Sequence, residues 1–251
     1  MKVFLLLLAV LTLTFELAGQ SNKWQVDVGV SFGMAYPQGE HKYQTASARP
    51  TQFALPGWNF RLDCHSGIAN GWKVGLLYSR YHTPISSQNL SNYLLRTIDT
   101  TGYFITTGVK DNAYYESGSW SVQLANDIST GKLLITPQFA LGIASLVSRF
   151  SANYDLKQSG TNYSKEVVIE TDTRTGIGFL ITAGVKAGYS FNISEHRFCL
   201  FLMGEYYGYH CTTALKYMTT DVLDNVITNY QWFSGDIKYG SLSFGATYFV
   251  K

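Results

Sequence analysis

Residues 24–36 read WQVDVGVSFGMAY, and this stretch decides the fold. Trp24, Val26, Val28, Val30, Phe32, Met34 and Tyr36 share one parity, and Gln25, Asp27, Gly29, Ser31, Gly33 and Ala35 share the other. An extended chain turns successive side chains to opposite faces, so it puts all seven large apolar groups on one side. A helix would scatter them around its circumference. The stretch is therefore a β-strand with a bulky apolar face and a small or polar face.

The same pattern recurs along the chain. Trp58, Phe60, Leu62 and Cys64 alternate with Asn59, Arg61, Asp63 and His65, and Trp72, Val74, Leu76 and Tyr78 with Lys73, Gly75, Leu77 and Ser79. Comparable runs centre on Trp120, Phe139, Phe179, Leu200 and Phe244, which makes eight expected strands. The connections alternate in length. Segments 66–71, 126–132 and 192–196 are short and carry turn residues such as Asn70-Gly71 and Thr130-Gly131. Segments 37–57, 82–112, 150–174 and 211–236 are long and polar and read as loops. No helix is expected anywhere in the mature chain.

Composition decides which face points where. Only 14% of the 251 residues are charged, while 15% are aromatic and 23 are Gly. An average soluble domain has about 25% charged residues. A water-soluble barrel would turn the large Trp, Phe, Leu and Ile faces inward and show water a Gly, Ala and Ser surface almost without charge. The small face instead suits the cramped interior of an eight-stranded barrel. The large face then meets lipid, flanked by aromatic girdles. After residue 19 no apolar run approaches the roughly 20 residues a membrane helix needs, so a membrane protein of this sequence has to be a closed barrel. The expected fold is all-β, an eight-stranded antiparallel up-and-down transmembrane β-barrel over residues 20–251. Beyond Val147 the polarity of the two faces exchanges, with Arg149, Ser151, Asn153 and Asp155 opposite Phe150, Tyr154 and Leu156. This places a membrane surface near Arg149, with a hairpin above it that turns near Gly160.

Residues 1–19 read as a cleavable signal peptide: Lys2, an apolar run from Val3 to Leu13, then Leu17-Ala18-Gly19 before Gln20. With no Cys at position 20, a lipid anchor is not expected. A net charge of +2 suggests no nucleic-acid partner. Cys64, Cys199 and Cys211 are odd in number and lack metal spacing, so they read as small apolar residues. No cofactor or metal is expected.

On these features the chain resembles the small outer-membrane barrel superfamily of Gram-negative bacteria, which includes the outer membrane protein A and outer membrane protein X barrels. The last strand carries the local motif of the resemblance. Ser243, Gly245, Tyr248 and Val250 match the polar-x-Gly-x-x-hydrophobic-x-hydrophobic signal that the barrel assembly machinery reads. The chain departs from that family in ending Phe249-Val250-Lys251 rather than on an aromatic residue. The resemblance implies a bacterial outer-membrane location with periplasmic termini, extracellular long loops, and outer-membrane lipid and lipopolysaccharide as surroundings.

The expected inward face collects Asp27, Arg61, Asp63, Lys73, Lys186 and Glu205, both signs on neighbouring strands. Charges inside a narrow barrel need partners, so these should pair and close the lumen. An ion or proton path is the sharper alternative. His65-Ser66 is the one adjacent pair that suggests a nucleophile and base, but it lacks an acidic orienter at clear spacing. His82 and His210 read as solvated loop residues. The long loops carry Tyr43, Tyr93, Tyr103, Phe104, Tyr114, Tyr154, Tyr163, Tyr217, Tyr230 and Trp232. These aromatics suit either contact with a protein or glycan partner or packing of the loops on one another. The expected function is that of a non-enzymatic outer-membrane barrel, structural or acting through its extracellular loops. The alternatives are an enzyme acting on lipid A or phospholipid, and a narrow pore or secretion-machinery accessory barrel.

Overall fold

The computed structural model describes residues 26–39, 53–98, 103–105, 113–160, 164–171, 176–220 and 225–250. The expected signal peptide at 1–19, and Trp24, His41, Tyr43 and Tyr163, lie outside them.

Among the described residues twelve strands form where the sequence predicts eight. They are β1 (Val26–Pro37), β2 (Gly57–Ala69), β3 (Trp72–Pro84), β4 (Tyr103–Ile105), β5 (Tyr114–Asn126), β6 (Ile128–Thr130), β7 (Leu133–Arg149), β8 (Ser151–Gln158), β9 (Ser164–Thr171), β10 (Gly176–Ile193), β11 (His196–Thr220) and β12 (Val226–Val250). Pairing is antiparallel throughout. It runs β1–β2–β3–β5–β7–β10–β11–β12 and returns to β1, which closes a ring. Short β6 pairs with β7 at the turn end of the ring. The remaining three strands extend a sheet beyond the other end: β11 pairs with β9, β9 with β8 and β8 with β4.

Three further expectations are corrected. Residues 211–220 and 226–236 are strand rather than loop, because β11 and β12 stay paired from Arg197↔Phe249 to Thr220↔Val226. Above the ring the backbone ladder continues, joined by cross-strand side-chain hydrogen bonds between Thr212 and Ser234 at 2.9 Å and from Tyr217 to Gln231 at 2.9 Å. Segment 82–112 contains a helix, α1 (Ser87–Thr97). Its Leu90, Tyr93 and Leu94 fall at i, i+3 and i+4, an apolar stripe too short to stand out beside strand patterns. His82 and His210 are strand residues rather than loop residues. His82 lies between Trp58 and Tyr114, with ring centroids at 5.3 and 4.6 Å.

The alternation becomes an inside and an outside. Phe32, Phe179 and Phe244 are 59%, 63% and 57% exposed, and Val28 and Phe139 also face outward. Asp27, Ser31, Arg61, Asp63, Ser121, Thr182 and Ser243 are buried within the ring. Ionic and polar groups bound this apolar exterior. At one end it stops at Arg80, Glu116, Arg149, His210, Asp236 and Lys238, and at the other at the turn bearing Lys132. From Val250 to Gly240 is ten residue steps of β12. At about 3.4 Å per residue and a tilt of about 40° this run rises about 25 Å.

The tight turns form at the Lys132 end. Asn70 and Gly71 have φ of 50° and 84°. Positive φ at both central positions is the type I′ turn whose twist matches a hairpin, and Asn-Gly adopts it at least cost. The first residue of β1 and the last of β12 pair at this same end.

Candidate functional site

The ring's register brings the inward residues together. Asp27 lies opposite His65, and Gly29 opposite Asp63. A Cβ at Gly29 would come within 2.5 Å of Asp63 Oδ1, so Gly is what leaves the carboxylate room. His65 Nδ1 is 2.8 Å from Asp27 Oδ1 and 3.5 Å from Asp63 Oδ2. Lys73 is ion-paired to both Asp27 and Asp127, and Lys186 Nζ is 2.5 Å from Asp63 Oδ2. Thr136 Oγ1 donates to Asp127 Oδ1 at 2.7 Å. Beside these groups is a cavity of about 20 Å³ lined in part by Asp27, His65, Lys73, Asp127 and Lys186. That is room for about one water.

A second layer follows along the axis. The Arg61 guanidinium is ion-paired to Glu205. It donates to Gln123 Oε1 at 2.9 Å and to Gln138 Oε1 at 3.1 Å. Gln123 Nε2 donates to Gln138 Oε1 at 2.6 Å, and the Tyr81 hydroxyl to Glu205 Oε2 at 3.0 Å. One arginine thus ties β2 to β5, β7 and β11, which crosses the ring. Taken with the first layer, Arg61, Lys73 and Lys186 meet the carboxylates of Asp27, Asp63, Asp127 and Glu205. Buried charges are expensive to desolvate, and such pairing is what makes them tolerable.

The third layer is aromatic. Tyr81 packs on Tyr207 and Tyr239 at centroid distances of 4.3 and 5.0 Å. Their hydroxyls and that of Tyr209 are held by Glu205, Ser117 and Thr83. Above it the filling becomes apolar: Phe53, Ala54, Ile85, Tyr115 and the helix residues Leu90 and Leu94, all buried in one cluster. A bridge between Ala54 and Ile85, with Leu55 N–H donating to Pro84 O and Ser86 N–H to Phe53 O, ties the strap before β2 to the start of α1. The inner face of the rising sheet, with Tyr154, Leu156, Val167 and Ile169, belongs to the same cluster. Burial, helped by nearby Tyr217, pushes the Tyr93 phenol up to about 12.

The sheet's other side is open. Phe104, Val226, Tyr230 and Trp232 are exposed large side chains. The loop aromatics therefore divide: Tyr154 is buried and Tyr93 packs on Phe53 at 5.8 Å, whereas Phe104, Tyr230 and Trp232 face out.

The six predicted interior residues, Asp27, Arg61, Asp63, Lys73, Lys186 and Glu205, all line the lumen and are buried. Sequence reasoning left out His65, Asp127, Gln123, Gln138 and Tyr81 as members of the network. His65, Gln123 and Gln138 carry the inward parity, so that signal was present; Asp127 lies between β5 and β6, outside both strands, and gives none. His65 and Ser66 do not combine. The histidine turns inward to Asp27, and Ser66 holds the opposite parity, its hydroxyl without a partner among the described residues. Cys64 faces outward, and Cys199 and Cys211 are buried and unpaired as thiols. In the terminal motif Ser243 and Gly245 face inward and Val250 outward. Among the described residues no group of three metal-ligating side chains converges.

The geometry defines a closed antiparallel β-barrel, polar and filled within, apolar without. Comparison with protein-family models finds no match, and comparison with curated proteins finds none. Among solved structures the chain is similar to a major outer membrane protein from Thermus thermophilus, at 12% identity over 91% of this chain and all of that one, with a TM-score of 0.43. It is similar to Neisserial surface protein A at 12% identity, covering 89% and 95%, with a TM-score of 0.36. It is also similar to Ail of Yersinia pestis, solved with the heparin analogue sucrose octasulfate, at 13% identity over 91% and 99%, with a TM-score of 0.37. These are likenesses of chain path alone.

Proposed function

We propose that the chain is an integral protein of a bacterial outer membrane that spans it with the eight ring strands, keeps its lumen sealed, and acts at the cell surface through the sheet above the barrel. One observation carries this reading: a belt of exposed Phe, Leu, Ile and Val bounded at both ends by ionic groups, around an interior whose charges are paired. Water would leave that belt unstable, and hydrocarbon fits it. Closure satisfies every ring strand's backbone, which a membrane requires. The tight turns and both chain ends then lie in the periplasm, and α1 and the rising sheet lie outside the cell. Trp232, Tyr230 and Phe104 are the residues placed to touch a protein or glycan partner. Neither catalysis nor transport has support of this kind, since the lumen is filled and, among the described residues, the His65-Ser66 pair does not combine.

The test is topological. Trp232→Cys introduces a thiol on the exposed sheet, while Cys64 faces the belt and Cys199 and Cys211 are buried. A membrane-impermeant maleimide should label the variant on intact cells and leave the parent protein unlabelled. Labelling that needs a permeabilised outer membrane overturns the proposed orientation.

A further inference from the structure

The apolar exterior is not even. Ala187 on β10 lies in register between Ile135 of β7 and Leu202 of β11. A methyl group there stands between two long aliphatic side chains, both well exposed. The result is a trough of about 440 Å³, with Ile135 along one wall and Leu202 and Phe244 along the other. One step toward the ionic end, Gly204 faces outward opposite Val185, and a Cβ placed on it meets nothing within 4 Å, so the low relief continues. At the turn end the trough runs onto Tyr189, and Lys132 Nζ stands 5.7 Å from the Tyr189 ring centroid. Among the described residues Lys132 makes no ion pair. A long lysine over an aromatic face at the edge of an apolar belt is placed to hold a phosphate at headgroup level.

We propose that this trough is a binding site for one anionic phospholipid, with an acyl chain lying over Ala187 and the phosphate at Lys132. The site rests on the membrane reading above, which puts Lys132 at the periplasmic leaflet, where phospholipid rather than lipopolysaccharide would occupy it. Chain and headgroup make separable contributions. The trough accepts any acyl chain, and the unpaired cation selects for net negative charge.

The experiment is native mass spectrometry of the purified full chain in non-ionic detergent, with phosphatidylglycerol or phosphatidylcholine of identical acyl chains. The wild-type protein should retain phosphatidylglycerol about fivefold better. Lys132→Gln should abolish that preference, and Ala187→Leu, which fills the trough from outside the ring, should lower retention of both lipids. Equal retention of the two lipids by the wild type, retention unchanged in both variants, or displacement of phosphatidylglycerol by an equal concentration of lipopolysaccharide overturns the proposal. Flotation of the wild type with liposomes separates the two readings. A protein that does not float sinks the membrane reading and this site together, whereas one that floats without lipid preference sinks the site alone.

Discussion

The Arg61 guanidinium on β2 is ion-paired with the Glu205 carboxylate on β11, three strands away around the ring, and both are buried. No backbone pairing joins these two strands, so the contact spans the lumen itself. It also fixes what each partner costs when removed. Arg61→Ala leaves Glu205 without its cation, whereas Asp63 keeps Lys186, and Glu205→Ala leaves Arg61 with only Asp63 at 3.9 Å. Each should destabilise the barrel by about 3–5 kcal/mol, because an uncompensated charge is left in the interior. Removing both together should cost less than the sum of the two single changes. Urea unfolding in phospholipid vesicles measures all three, and additive losses would refute the pairing as an energetic unit.

Conductance tests the filling of the lumen layer by layer. The wild-type protein in a planar bilayer should show no single-channel steps. The double variant Arg61→Ser with Glu205→Ser should also stay closed, because Tyr81, Tyr207 and Tyr239 pack across the axis above it. Adding Tyr81→Ala and Tyr207→Ala should still give no steps, because the Asp27, His65 and Lys73 layer and the Phe53, Leu90 and Leu94 cluster remain in place. Conduction by the wild type would show that the interior side chains do not seal the barrel.

Position on the exterior should set the cost of a new charge. Phe244 lies near the middle of the apolar run of β12, and Phe244→Arg should destabilise by about 2–4 kcal/mol in vesicles. Trp232 is equally exposed but lies on the sheet beyond the belt. Trp232→Arg should change stability by no more than about 0.5 kcal/mol. Equal effects at the two positions would mean that they share one solvent.

Asp236 sits where the exterior turns ionic. Lys238 Nζ donates to one of its oxygens at 2.9 Å, and His210 Nδ1 lies 2.9 Å from the other. These hydrogen bonds hold its carboxyl below the ordinary carboxylate value of 3.8. A folded-state value lowered in this way contributes stability above the ordinary carboxylate range, and the contribution is lost as pH falls through the lowered value. The group is largely exposed, so the effect on folding is small and the titration itself is the measurement. Carboxyl chemical shifts should place Asp236 below 3.8 in the wild type. Lys238→Met should move it upward, and no movement would assign the shift to another cause.

The alternation was legible because strand geometry is local. Parity alone told which of Val28, Asp27, Phe179 and Thr182 would be covered and which exposed, whatever the strands paired with. The extensions of β11 and β12 were not legible. Above the belt neither face has a consistent solvent, so residues such as Thr219, Asn229 and Tyr230 lose the alternation that marks a strand, although the backbone pairing continues. Helix α1 was hidden for a related reason: Leu90 and Leu94 look like two leucines in a polar segment until the barrel mouth and the inner sheet face give them something to pack against.

The amino-acid sequence by itself determined that this chain forms amphipathic strands with large apolar side chains on one face and small or ionic ones on the other, since each residue's side depends only on its parity. Which ionic groups meet was decided only by the tertiary structure. Arg61 finds Glu205, and Asp127 joins Lys73, because ring closure and register bring together residues far apart in sequence. Distance along the chain holds no record of that proximity, and the energy of a buried charge depends on it almost entirely.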